Sequence, residues 1–541
     1  MTNTLPAVVD RGALERTKML AAYFQSGARI LHGWNPPVRR IDDDVRAAGR
    51  SAMARAIDGL HNSGWLAGAI ETIVGQMIGT GLQLVANPHA EKLGWSPKQA
   101  DAFRTAVEQE WNTVAKEPEL CDAAGKQTIA QLTRAQILTW FAHGEHLATV
   151  EMIKRPGNNG PATRINVLDP LSLPREGARN TAQQGVITDE YGYARAYEFR
   201  LKHADKWTEE TKQVSARDRN GRRLVCHVFD GGPGQRRGIT PLAPALRVVR
   251  QFDQLSDATL TTTLLQTIFA ATIKSTMPTE DVMSAIKTIN DGVAPDQTAL
   301  GMMNAQKQDW YKGAEIDLRD HGRIAHLFPN EALEFNTAKA PHDNYESFSR
   351  GLLREIARCI PCTYETFSGD YQGATYSSVR MATSEMWPIL LYRRENIAAR
   401  FPQFAYESFL EEQVALGIIE VPGGYDAFVE NRAAICRATW RGPARPTADD
   451  YKSAQAAEAR IKAGLSTLEH ECAENGLDWE DVLANEKRVA DKRESLGLPS
   501  AADMAASAKG IPPGGDPLMG DEPPAKPKPG QKPPQKGRAN G

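Results

Sequence analysis

Cysteine is scarce in this chain, with six residues in 541. Only Cys359 and Cys362 stand close together, so a disulfide framework is excluded and a reducing compartment is expected. Long apolar runs are missing as well. Nothing approaches the roughly 18–20 uncharged residues that a bilayer span requires. The N-terminal stretch MTNTLPAVVDRGALERTKM has acidic residues and no apolar h-region, so no secretory signal is expected there. A surplus of either charge is also lacking: 64 Lys and Arg face 67 Asp and Glu, for a net charge of −3. Tight phosphate binders are strongly basic, so this balance excludes high-affinity nucleic-acid binding but leaves room for weak contact with DNA.

Catalytic motifs are absent too. The loop Gly231-Gly232-Pro233-Gly234-Gln235-Arg236-Arg237-Gly238 is rich in glycine, but it has neither the Walker lysine nor GxGxxG spacing. No GxSxG and no HExxH occurs. Cys359-Ile360-Pro361-Cys362 has redox spacing, yet it falls at the C-terminus of a predicted helix, where the helix dipole raises a thiol pKa. The other four cysteines are scattered, so no zinc set forms. His143-Gly144-Glu145-His146 resembles a metal motif but has no third ligand nearby, and His321 with His326 is no better placed. The structural reading is taken for all of these: no catalytic residue, no metal ligand and no cofactor is assigned.

The chain does have ample material for cores. Hydrophobic residues make up 41% and charged residues 24%, as in soluble globular proteins, and the length allows about three or four domain-sized units. Trp34-Asn35-Pro36-Pro37 ends a loose N-terminal arm, with Trp34 as an anchor. Helical periodicity runs over 44–79 with a break at Asn62-Ser63-Gly64, then over 97–116 and 128–143, with Trp111 and Trp140 in the core. Residues 146–230 alternate or are β-branched and form a β-rich unit. Thr240 and Pro241 suit a helix start, although Pro244 can delay it, and the apolar stripe continues to about residue 270. A compact insert occupies 275–340, with a helix over Asp281–Ile289 and short strands at Arg323–Phe328 and Leu333–Phe335. Helices follow over Tyr345–Ile360 and from Ser377 to Ala415, the latter predicted to kink at Pro388. Capping signals at Thr447, Ser466 and Asp478 start three further helices, with Asn475-Gly476 as a C-cap. Residues 511–541 hold nine prolines and almost no apolar side chains, so they are expected to be disordered.

The order of these parts resembles the portal proteins of tailed bacteriophages, in the lambda-type portal family. The resemblance rests on Trp34-Asn35-Pro36-Pro37, on His227-Val228-Phe229-Asp230 with Arg237-Gly238, and on Ala463 to Thr467 with Glu469. Its most specific block is Tyr364-Glu365-Thr366-Phe367-Ser368 with Asp370-Tyr371 and Tyr376-Ser377-Ser378-Val379-Arg380. It implies an α+β portal fold with a β-rich wing, helical stem, small α/β clip and helical crown, assembled as a ring of usually twelve identical subunits. By analogy 1–33 is an arm, 34–239 wing, 240–270 the first stem helix and 271–340 clip. Residues 341–365 are then the second stem helix, 366–378 a channel loop, 379–444 the long wing helix and a strand, 445–510 crown and 511–541 the tail. The candidate channel residues are Gly369, Asp370, Tyr371, Gln372, Gly373 and Thr375. Expected partners are the terminase large subunit, major capsid and scaffold or protease proteins, head-completion or tail connector proteins, and double-stranded DNA bound non-specifically, with no membrane. The expected location is the capsid vertex of a virion, assembled in the host bacterial cytoplasm. The alternative of the same kind is another head–tail connector or minor head protein. The alternative of a different kind is a CxxC redox or metal-dependent enzyme.

Overall fold

The computed structural model describes residues 38–155, 160–174, 184–203, 206–268, 271–275, 305, 309, 331–335, 345–446, 450–477 and 479–498. Trp34–Pro37, the helix at 281–289, the strand at 323–328, His321, His326, Thr447, Asp478 and the tail lie outside them. Helices and antiparallel sheets are both present, and the chain divides into a large unit up to Ala448 and a small one from Asp449.

Two helices open the described part of the large unit. α1 (Ile41–Asn62) and α2 (Gly64–Ile78) part at Ser63, whose backbone is extended. α1 buries one stripe through Val45, Met53 and Ala56. α2 buries Leu66, Ile70, Ile73, Val74 and Met77 on one side and exposes Gly68, Glu71, Thr72 and Gly75 on the other. After β1 (Gln83–Ala86), α3 (Pro97–Lys116) and α4 (Ile129–His143) each begin with a full capping box, Ser96 with Gln99 and Thr128 with Gln131.

Six strands follow. β2 (Glu145–Met152) lies between β3 (Thr163–Leu168) and β7 (Val225–Phe229), all antiparallel. β4 (Val186–Thr188), β5 (Ala194–His203) and β6 (Lys206–Ser215) form a second sheet. β4 and β6 carry no apolar alternation in the sequence and were not predicted as separate strands. They are held by pairing to β5, and Val186 of β4 is buried with Tyr197 and Phe199 of β5.

α5 (Leu246–Ile268) starts later than Thr240. Pro241 and Pro244 cannot donate to a helix, and 240–245 close as a turn. Thr240 fixes that turn: its Oγ1 donates to the Phe141 carbonyl at 2.6 Å and accepts from the Leu242 amide at 3.1 Å. β8 (Ala271–Ser275) and β9 (Glu331–Phe335) pair antiparallel. α6 (Tyr345–Cys359), the short α7 (Tyr364–Ser368) and α8 (Tyr376–Arg393) come next.

The long helix after α7 has a turn that the sequence did not announce. It runs through Pro388 and changes pitch beyond it, in a π-helical turn at Arg394–Ala398, before continuing as α9 (Arg400–Ala415). That turn carries a tertiary contact. The Arg394 guanidinium donates to the carbonyls of Gln76 (3.0 Å), Met77 (2.8 Å) and Pro443 (2.9 Å), and so caps the end of α2. α10 (Gly424–Ile435) and β10 (Ala438–Arg441) complete the unit, with β10 pairing to β1 in the register Gln83↔Arg441.

Two cores result. One gathers α2, α4, the first half of α5, α6 and α8 around Ile73, Trp140, Phe252 and Ile356. The other gathers α3, α9 and α10 around Trp111, which packs edge-on to Tyr406, Phe409 and Trp440 with centroids 5.6 to 5.8 Å away. The small unit holds α11 (Asp450–Lys462), α12 (Leu468–Glu474) and α13 (Trp479–Ser495). Its second helix is capped by Thr467, not Ser466: the Thr467 Oγ1 accepts from the His470 amide at 3.2 Å.

Candidate functional site

The block Thr363–Ser378 folds as a helix, a loop and a helix start. Thr363 caps α7 by accepting from the Thr366 amide at 3.0 Å, and Gly369 ends it in the left-handed region at φ 66°. Thr375 caps α8, bonded reciprocally with Ser378. The non-helical part is therefore 369–375, shorter at both ends than the 366–378 expected from the sequence.

That loop is tied down by its own carboxylate. Asp370 Oδ1 accepts from the Gln372 amide at 2.9 Å, and Oδ2 accepts from the Tyr364 hydroxyl at 3.1 Å. The Gln372 amide bond first, then the Tyr364 hydroxyl and Arg350, hold this carboxyl below its ordinary pKa. Gly373 turns at φ 77°, the Ala374 amide donates to the Tyr371 carbonyl at 3.0 Å, and the Tyr371 side chain stands 59% exposed. The loop has no cation of its own, but one reaches it from α6. Arg350 Nη2 donates to Gln372 Oε1 at 3.0 Å and lies 3.4 Å from Asp370 and 2.8 Å from Glu346. Sequence reasoning named Gln372 as a channel candidate and missed Arg350. The only sequence signal was its position on the exposed side of α6, which does not reveal a partner 22 residues away.

A second constellation braces the β-unit, and it absorbs two motifs left unexplained above. Glu145, at the first position of β2, is 1% exposed and takes a bidentate bond from Arg237 in the glycine-rich loop (Nη2 to Oε1 2.5 Å, Nε to Oε2 3.0 Å). His227 Nε2 lies 3.0 Å from Oε2, and the Gly238 amide donates to the same oxygen at 2.8 Å. Arg237, also 1% exposed, spends its remaining donors on the carbonyls of Pro170 (3.0 Å) and Gln184 (2.9 Å). Burial alone raises the pKa of Glu145, but Arg237 and His227 outweigh it, and the carboxyl sits well below the usual range. The glycines are there for space. A Cβ on Gly238 would lie 2.1 Å from the Gly144 carbonyl oxygen, and one on Gly144 would lie 2.0 Å from the Ile239 carbonyl carbon. His143-Gly-Glu-His and Arg237-Gly238 are two halves of one buried charge lock. His146 points elsewhere, with Nε2 3.3 Å from the Ile397 carbonyl.

The cysteines are all free thiols. Burial pushes Cys362 up to about 12, and burial with Glu355 nearby raises Cys359, so neither is set up as a thiolate nucleophile. Among the described residues no three His, Cys, Asp or Glu side chains are arranged to hold a metal, and no helix is long and apolar enough to cross a membrane. Replacing Cys359 and Cys362 together by serine is expected to leave folding and assembly intact and to shift thermal stability by no more than about 2 kcal/mol. Differential scanning calorimetry checks this, and metal bound to the wild type but lost with the fold in the variant would refute it.

Three comparisons place the chain among known proteins. Residues 27–394 match the model of the phage portal protein, lambda family. The portal protein of Escherichia phage N15 is 28% identical over 519 residues, covering 94% of this chain and 97% of that protein. Portal protein B of Escherichia phage lambda is 27% identical over 522 residues, covering 94% and 96%. Among solved structures, a chain in the neck of a native GTA particle covers 87% of this chain and 98% of its own length, with 13% identity and a TM-score of 0.42.

Proposed function

The chain belongs to the lambda family of phage portal proteins, and we propose that it closes into a ring of identical subunits, twelve in number, at one vertex of a phage capsid. Double-stranded DNA is driven in through that ring by the terminase large subunit and leaves through it at ejection. Major capsid and scaffold or protease proteins surround it during assembly in the host cytoplasm. Head-completion or tail connector proteins attach afterwards, and the ring remains in the virion as a structural part, not an enzyme.

The observation that carries this reading is the family match over 27–394, with relatives covering 94% of the chain. Surface chemistry supports a repeated contact between copies. Leu260 and Leu264 on α5 are 60% and 54% exposed, and Phe348 on α6 is 59% exposed. A head-to-tail contact that covers such faces and closes on itself gives a ring. Within it, 34–239 is assigned to the wing, 240–270 and 341–365 to the stem and 271–340 to the clip. Residues 379–444 are the long wing helix and strand, 445–510 the crown, and 369–375 faces the channel, with Arg350 holding Gln372 and Asp370. A near-neutral chain suits a conduit, because each phosphate neutralised adds grip. Negative-stain imaging of purified protein tests the reading: rings with a central hole are expected, and monomers alone at micromolar concentration across salt conditions would overturn it.

A further inference from the structure

The sheet β3-β2-β7 has two edges, and they differ. The β3 edge is covered. The Ala123 amide donates to the Ile165 carbonyl at 2.9 Å, and the Glu412 carboxylate accepts from the amides of Ala162 (2.6 Å) and Thr163 (2.8 Å). The β7 edge is open. The Leu224 amide still donates to the Ala216 carbonyl at 2.9 Å, but the pairing stops there. Among the described residues, none outside β2 hydrogen-bonds the backbone of Val225–Phe229. A cleft of about 590 Å³ runs along that edge. Every residue from Val225 to Gly231 borders it, whichever way its side chain points, so the cleft meets the strand edge-on and not on one face. Its other walls are Tyr193 and Ala194 at the start of β5 and Tyr392, Asn396 and Ile397 around the π-turn. An unpaired edge lying in a cleft is a template for one more strand.

The chain itself supplies a strand beside it. α1 is rooted on the loop that leaves β7: Asp42 Oδ1 accepts from the Arg236 amide at 3.0 Å, and a Cβ on Gly232 would lie 2.9 Å from Ile41 Cδ1. Val38 is fully exposed, and 37 residues precede it. They end in Trp34-Asn35-Pro36-Pro37, a motif that the channel reading leaves unused. A residue before proline is held extended, and proline itself stops a ladder. Just ahead, Ile30-Leu31-His32-Gly33-Trp34 is five residues long, as β7 is, and its Ile and Trp favour strands. The stretch from Trp34 to Ile41 spans up to about 25 Å, more than the length of a five-residue strand at about 17 Å. We propose that Ile30–Trp34 of the same chain adds to the free edge of β7 as a fourth strand and seals it against pairing with other chains. Its tethered end is the C-terminal one, near Gly232, so it runs parallel to β7 with the Trp34 indole at the Phe229 end of the cleft. The cleft belongs to one subunit, so the inference does not rest on the ring reading.

Two measurements test it. Amides of Val225–Phe229 that face away from β2 are expected to exchange about tenfold faster when residues 1–37 are deleted, and a synthetic peptide of residues 28–37 should restore the protection. Unchanged exchange would overturn the inference. Disulfide trapping on the full chain tests the placement, and it decides alone if the deletion fails to fold. Arg217 borders the Val225 end of the cleft, paired to Arg223. Arg29→Cys with Arg217→Cys should therefore close within one chain under mild oxidation, and Arg29→Cys with Tyr371→Cys, on the exposed loop, should not. Equal trapping of the two pairs would overturn the seat in the cleft. Bonds formed only between chains would place the strand on a neighbouring copy and overturn the same-chain assignment. None of these outcomes depends on whether rings form, so the two readings stand or fall separately.

Discussion

Glu145→Ala is expected to abolish folding of the large unit or to leave it barely stable at neutral pH. The substitution strands the Arg237 guanidinium, which is 1% exposed, with no counter-charge, and it removes the acceptor of the Gly238 amide. Breaking a buried pair from one side costs about 3–5 kcal/mol, which is a large part of the roughly 5–15 kcal/mol that holds a domain together. Arg237→Ala should be as damaging, since it also frees the Pro170 and Gln184 carbonyls. Denaturant unfolding of Glu145→Ala, Arg237→Ala and the double variant decides the matter. The double variant should be less destabilised than the two singles added together, because the second deletion removes a charge the first one stranded. Strict additivity would mean the pair is not coupled and the lock is misread.

The same region sets an acid limit. Burial pushes the His146 imidazole down from 6.5 to about 4. The unfolded chain therefore binds a proton that the folded chain refuses, so this contribution is complete above about pH 6.5 and fades as pH falls toward 4. Its full size is about 3 kcal/mol. Glu145 keeps its charge through that window because its own pKa is depressed further, and its contribution is lost only at lower pH. His146→Gln keeps a donor for the Ile397 carbonyl and removes the titration. Stability of the wild type should fall between pH 6.5 and 4 more steeply than that of the variant, as read from denaturation midpoints at each pH. Parallel curves would show that His146 is not the group responsible.

The sequence made the helices legible where a stripe and a cap coincide, as at Ser96 with Gln99 or Thr128 with Gln131. It made the core aromatics legible too, since Trp111 and Trp140 have no polar face to occupy. It failed where a distant partner decides. Arg394, in the π-turn, bonds the end of α2, a contact that no local signal reveals. β6, with Lys206 through Ser215, reads as polar coil until β5 supplies its hydrogen bonds. The candidate loop was visible as a glycine-bounded block, but the Arg350 tether was not. The same holds for the charge lock: a glutamate after a helix and an arginine in a glycine-rich loop gave no sign that they meet 92 residues apart.

Gln372→Lys is expected to leave rings intact and to slow DNA packaging. Two effects act together. The new ammonium faces Arg350, so the tether to α6 changes from a hydrogen bond to a repulsion and the loop loosens. It also brings a cation to a segment with none, and in a closed ring that cation repeats in every subunit around the channel. Each phosphate contact added in this way makes binding weaken about threefold between 50 and 200 mM salt, so the slowing should be largest at low salt and shrink by about that factor per contact as salt rises. Gln372→Glu is the control. It keeps an acceptor for Arg350 and adds no phosphate partner, so packaging should stay near wild type at both salts. Deleting Asp370–Ala374 removes the turn together with its tether. Because the loop buries little, rings and procapsids should still form, while the DNA packaged or retained falls. In vitro packaging measured at two salt concentrations, with imaging of the rings beside it, reads all three variants. Salt-insensitive packaging by Gln372→Lys together with normal phage yield from the deletion would make 369–375 a plain connector and place the channel surface elsewhere on the chain.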